Sequence, residues 1–392
     1  MQSVESQKND NRGIGLNPVR VMSLFGTRPE IIKFAPVVRS IEAHGMESIN
    51  VFSGQHTDLA TPLIDFFGIR IDHNLAIMRE AQTLNGIISR VTDALDEILA
   101  TAKPDVLLVQ GDTSTALGGA LAAFNRRIPV GHIEAGLRSG EKFSPFPEEL
   151  NRRLISKIAA HHFAATERNV TALASESVPM RTVHCTGNTV IDALSYTMKN
   201  SRMGDELAEL FAKTEGLKRI VLTTHRRESF GDVMEGNLRV LRDYVRAHGD
   251  LCLIFPVHPN PNVRAIAESV LGGEDRVHLV QPLPYEQFVL LLSNAWILVS
   301  DSGGIQEEAP TLGKPLLIIR DNTERPEAVT CGVGRLVGES PELLKAALDD
   351  LMESSAWFDK VANAENPFGD GNAAQRIAGI LKQAYSSQPV RN

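Results

Sequence analysis

The stretch Leu298-Val299-Ser300-Asp301-Ser302-Gly303-Gly304-Ile305-Gln306-Glu307-Glu308 constrains the fold most. The apolar run at 296–299 has the length of a buried parallel strand. A Ser/Asp/Gly turn follows it, then a helical segment that should end near Gly313. Two adjacent glycines let backbone come close to a ligand, and a new helix presents free N–H groups and a positive dipole end. Such a turn suits a pyrophosphate. Glu308 falls one turn into the helix, where a carboxylate can accept hydrogen bonds from ribose hydroxyls. A tight turn that binds nothing would have the same look, because strand–glycine–helix junctions are common in α/β folds.

The first half repeats the alternation. Apolar runs at 19–25, 49–53, 104–111 and 128–133 read as strands, with helical segments at 28–44, 84–101 and 113–125 between them. Gly26-Thr27-Arg28-Pro29-Glu30 opens the first helix, with Pro29 suited to its first turn. Arg28 and Lys33 lie at or near that helix start, where an anion is well placed. Asp112 and Glu134 come at the carboxyl ends of consecutive strands, the edge along which open α/β sheets place ligands. Glu148 follows Pro147 on a helix, with Arg152 one turn on. Each acid has a plainer reading: Asp112 as a helix cap, Glu134 paired with Arg138, and Glu148 paired with Arg152.

The second half alternates again after a crossing at Gly187-Asn188-Thr189. His225 ends a strand beside Arg226 and Arg227, a cationic group suited to a diphosphate. Phe288 lies on the helix before the glycine turn, and Arg325-Pro326-Glu327 follows the next strand, echoing Arg28-Pro29-Glu30. Gly369-Asp370-Gly371-Asn372-Ala373-Ala374 matches a dinucleotide pattern but follows no strand, so it is rejected.

At 392 residues, two domains are expected. A net charge of −8 without a basic block argues against nucleic acid and anionic membrane. No apolar run reaches the roughly 18 residues of a membrane span. The three cysteines form no CxxC and suit a reducing cytosol, and no His/Cys/Asp spacing fits a zinc site, so no metal is expected.

Taken in order, Gly26–Glu30, Gln110–Thr113, Gly131–Arg138, Pro147–Glu149, His225–Glu228, Asp301–Glu308 and Glu324–Ala328 resemble the motifs of the bacterial non-hydrolysing UDP-N-acetylglucosamine 2-epimerases. The resemblance spans nearly everything except the N-terminal tail. It implies an α/β, GT-B-like fold of two Rossmann-like parallel-sheet domains with an interdomain cleft, in a cytoplasmic homodimer. The expected divisions are a tail at 1–18, domains at 19–187 and 188–370, and a C-terminal helix within 371–392 that returns to the first domain. It implies interconversion of UDP-GlcNAc and UDP-ManNAc without an organic cofactor. By motif, Asp112, Glu134, Glu148 and His225 take the catalytic places. Arg28, Lys33, Arg152, Arg226, Phe288, Ser302, Gly303, Gly304, Glu308 and Arg325 take those of substrate and UDP contacts. A second, activating nucleotide sugar in some relatives corresponds to Gln55, His56, Arg226 and His258, but Asp58 and Ala81 stand where those relatives carry a glutamine and an arginine. Weak activation is therefore expected. A glycosyltransferase, a nucleotide-sugar sensor, or an epimerase of a modified UDP-HexNAc are the alternative readings.

Overall fold

The computed structural model describes residues 18–54, 60–79, 81–224, 232–338 and 340–386. The first sheet has seven strands: β1 Arg20–Phe25, β2 Glu47–Phe52, β3 His73–Asn74, β4 Val106–Gln110, β5 Val130–Ala135, β6 His161–Ala164 and β7 Val183–Cys185. Their spatial order is β3-β2-β1-β4-β5-β6-β7, all parallel. The second sheet has six: β8 Lys218–Thr223, β9 Leu251–Pro256, β10 Val277–Val280, β11 Ile297–Ser300, β12 Leu316–Ile318 and β13 Gly334–Leu336. Their order is β10-β9-β8-β11-β12-β13, again parallel. In each sheet the order reverses beside its first strand, and open parallel sheets bind ligands at such switch points.

Helices cover both faces of the first sheet, so its strands are apolar on both sides. Val21 and Phe25 of β1 join one core with Ile31 and Phe34, while Met22 and Leu24 join the other with Val91 and Leu95. That alternation follows the two-residue period of a strand. The core containing Phe34 also takes in Tyr285, Val289 and Ala328 from the second half. The rings of Phe67 and Tyr285 lie 6.2 Å apart across that junction. The helix Ala373–Tyr385 packs on the helix Arg28–Ala43, and His161 Nε2 lies 3.1 Å from the Tyr385 hydroxyl. The rejected glycine pattern before this helix has no free helix end, because Asp192 accepts the N–H groups of Ala373 and Ala374 at 3.3 and 2.9 Å.

Candidate active site

Glu134 is the penultimate residue of β5, at the carboxyl end where the sequence places it. Its φ is +63°, and the pairing of β5 with β6 shifts register between Ile133 and Ala135. A bulge of this kind re-aims one side chain at the cost of a backbone conformation that non-glycine residues rarely adopt. The Glu134 carboxylate receives short bonds from Lys33 Nζ and Gln110 Nε2 and a third from Asn188 Nδ2 at 3.2 Å. Burial would raise its pKa, but Lys33 and Arg325 outweigh that and hold it well below the usual carboxylate range. Arg138, the plainer partner, is bonded instead to Glu176 at 2.7 and 2.9 Å.

Asp112 lies just past β4 and does not cap the next helix, whose N-terminal N–H of Ala116 is accepted by Thr113 Oγ1 at 3.0 Å. Its side chain keeps 24% of its surface open. Arg152 Nε is 3.1 Å from Asp112 Oδ2, and Asn151 Nδ2 donates to the Asp112 carbonyl at 2.8 Å. Burial pushes Asp112 up to about 6, with Arg152 opposing and the charges of Glu134 and Glu148 adding. Arg152 does not pair with the Glu148 carboxylate: it meets Asp112 and, at 3.6 Å, Glu149, and touches Glu148 only through a 3.4 Å bond to its carbonyl. The side chain of Glu148 is thus left half-buried beside Asp112.

From the second sheet, Ser302 stands at the start of the helix Gly303–Leu312 after β11 without a side-chain bond to its N–H groups, and its own N–H is accepted by Ser300 Oγ at 2.9 Å. A Cβ on Gly303 would lie 2.5 Å from Arg325 Nη1, so the missing side chain is what lets the guanidinium rest on the turn. Gly304 beside it is half-buried. Glu308 is buried, and one of its oxygens accepts the Tyr285 hydroxyl at 2.9 Å. Burial pushes its carboxyl up to about 7. Phe288 is half-buried against the core of the second sheet, which includes Leu253 and Leu298. Arg28 is half-buried at the first helix start; burial lowers its pKa and the charge of Glu286, in the other half, raises it.

Lys33 closes the arrangement, with Nζ bonded to Glu134 and also 3.3 Å from Glu307 Oε2. Glu307 Oε1 in turn accepts Arg325 Nε at 2.5 Å. Glu307, Gln110 and Asn188 were not singled out in the sequence. Glu307 was visible only as a neighbour of Glu308, and Gln110 only as the end of a strand. His225 and Arg226 lie outside the described residues, as do Gln55, His56 and Asp58. His258 and Ala81 are exposed, and His258 Nδ1 accepts the Asn260 N–H at 3.2 Å. Among the described residues no group of His, Cys, Asp or Glu could hold a metal ion, and no helix is long and apolar enough to cross a membrane.

A family model for UDP-N-acetylglucosamine 2-epimerase matches residues 39–382. The chain belongs to the UDP-N-acetylglucosamine 2-epimerase family. It is an enzyme of the isomerase type. A relative in Ralstonia nicotianae is 45% identical over 372 residues, covering 93% of this chain and 99% of its own. The UDP-N-acetylglucosamine 2-epimerase of Escherichia coli K12 is 44% identical over 370 residues, 93% of this chain and 98% of its own. Among solved structures, the Neisseria meningitidis UDP-GlcNAc 2-epimerase bound to UDP-GlcNAc superimposes with a TM-score of 0.85. It is 40% identical and covers 93% of this chain and 100% of its own. The glycotransferase of kitacinnamycin, 14% identical with a TM-score of 0.62, is alike in its GT-B-like fold.

Proposed function

We propose that this epimerase interconverts UDP-GlcNAc and UDP-ManNAc by eliminating UDP and adding it back through 2-acetamidoglucal. One observation carries the reading. Asp112, Glu134 and Glu148 gather at one edge of the first sheet, and Lys33 links that edge to the glycine turn of the second.

The C2 proton of the sugar has no carbonyl beside it, so an ordinary carboxylate cannot remove it directly. Breaking the anomeric C–O bond first sends its electron pair out with UDP and leaves positive character at C1. The C2–H pair then forms the C1=C2 bond, and the proton passes to a carboxylate. Asp112, raised to about 6, is matched to that transfer near neutral pH. Glu134, held anionic by Lys33, faces the positive charge growing at C1. Glu148 serves the opposite face of C2, where a proton is returned before UDP adds back. Arg28, Arg325, Ser302 and the Gly303-Gly304 helix start hold the diphosphate, joined by His225 and Arg226. Glu308 takes the ribose, Phe288 borders the uracil, and Arg152 sets the Asp112 carboxylate. The chemistry asks for no organic cofactor.

The reading includes a cytoplasmic homodimer divided at 187/188, with the C-terminal helix returned to the first domain. Incubating UDP-GlcNAc with the protein alone tests the reaction. The expected result is a stable mixture with UDP-ManNAc and no accumulation of free sugar. Unchanged UDP-GlcNAc without an acceptor would point to a glycosyltransferase. Because an acid at 58 and an alanine at 81 oppose binding of a second diphosphate, pure UDP-ManNAc should also react without a lag. A lag abolished by a trace of UDP-GlcNAc would contradict that part.

A further inference from the structure

Six side chains of alternating charge run from the first sheet into the second half. Glu134 bonds Lys33; Lys33 lies 3.3 Å from Glu307; Glu307 lies 2.5 Å from Arg325; Arg325 lies 3.1 Å from Glu324; and Glu324 lies 3.7 Å from Arg320. Glu307 is the middle anion, and the ion pair with Lys33 makes it the link between the two halves. It is 2% exposed, on the helix that starts at the glycine turn. Its Oε1 takes the Arg325 bond, whereas its Oε2 is buried and makes an ion-pair contact with Lys33 but no hydrogen bond.

A buried carboxylate with one oxygen short of a hydrogen bond is a weak stabiliser, and ion pairs of this kind are often matched or bettered by apolar residues. Stability therefore gives little reason for a carboxylate here. Placement gives a better one. Arg325, gripped at Nε by Glu307, presents Nη1 over Gly303, and Lys33, drawn from the other side, presents Nζ to Glu134. One anion thus fixes two cations, one beside the turn suited to a diphosphate and one beside a carboxylate at the sugar.

We propose that Glu307 is a positioning residue of the epimerisation, holding Arg325 at the glycine turn and Lys33 at Glu134 so that both charges meet the substrate in fixed register. The inference rests on the proposed reading of Lys33 and Arg325 as substrate contacts. Glu307 makes no bond to substrate in this account; it acts through its two partners.

The test is E307Q, which keeps shape and removes charge. Epimerisation of UDP-GlcNAc is followed across neutral and basic pH, with melting curves beside it. Turnover should fall roughly 10²-fold, the scale of a misplaced catalytic group. KM should rise too, though by less than turnover falls, because Arg325 loses its grip at Nε but keeps Glu324 at Nη1. Lys33 is faced by Glu134, Glu307 and Arg325, with Asp112 and Glu308 within electrostatic reach. Burial lowers its pKa and the two nearer glutamates more than restore it. Without Glu307, Lys33 should lose its proton earlier, so a descending limb enters at a lower pH than the wild type's. E307D should return that limb to its wild-type position with part of the turnover. A folded E307Q with wild-type turnover and pH profile overturns the proposal. So does a loss that leaves the basic limb unmoved and tracks only a lowered melting temperature. If E307Q does not fold, E307D decides: reduced turnover on an unmoved limb with an unchanged melting temperature supports the proposal, and full turnover, or a loss that tracks a lowered melting temperature, overturns it. A wild-type protein that forms no epimer would instead sink the functional reading beneath it.

Discussion

At Glu148 the structure separates two roles that the sequence leaves open. An ion pair with Arg152 would make Glu148 a structural residue, but Arg152 is committed to Asp112 and Glu149. Glu148→Gln should therefore cost roughly 10²–10⁴ in turnover while UDP still binds. Its melting temperature should move by less than about 2 °C, since no carboxylate partner is lost. A large fall in melting temperature with activity kept would restore the ion-pair view. Asp112 supplies a second test. A base that must be ionised and has a pKa of about 6 gives a kcat/KM that rises with pH through about 6 and then levels. Arg152 is the main cation holding that value down, so Arg152→Met should move the ascending limb upward by about one unit or more. An unmoved limb would remove Asp112 from the base role. The Arg152–Asp112 pairing has no local signature. Arg152 and Asp112 are forty positions apart in sequence, and the choice between Asp112 and Glu148 is made by how a helix seats on a sheet edge.

Among the elements, the glycine turn does its work through what it lacks. Gly303→Ala would place a methyl 2.5 Å from Arg325 Nη1, and Arg325 is pinned by Glu307 and Glu324. Displacing it should weaken UDP binding by roughly tenfold, about one charge-assisted hydrogen bond. Calorimetry of UDP binding checks this, and unchanged affinity would show that Arg325 does not meet the nucleotide. Elements with a clear apolar period were legible in the sequence. The run at 19–25 and the helical segments at 28–44 and 84–101 coincide, to within a residue, with β1 and the helices Arg28–Ala43 and Leu84–Ala102. β3 and β13 were not foreseen, because edge strands of two and three residues carry no period to recognise. The bulge at Glu134 escaped for another reason. A non-glycine residue at φ +63° is held by its neighbours, here Lys33, Gln110 and Asn188, and the sequence places none of them beside it.

For the whole molecule, both parallel sheets and the edge along which the acids gather could be read from the order of runs and turns. The contact between the halves could not, since it depends on side chains brought together from distant segments. Asn188 shows this best. Its backbone N–H donates to the Phe368 carbonyl at 2.6 Å, its side chain caps the helix Thr189–Asn200 at 3.1 Å, and its amide reaches Glu134 at 3.2 Å. A crossing between sheets is thereby tied to a carboxylate at the site. The central claim is that such a site breaks the C1–O and C2–H bonds in turn. Proton NMR of UDP-GlcNAc with the protein alone in heavy water tests it directly. UDP-ManNAc should carry deuterium at C2, with deuterium washing into the recovered UDP-GlcNAc as well. Epimer that keeps its original C2 proton would contradict that claim.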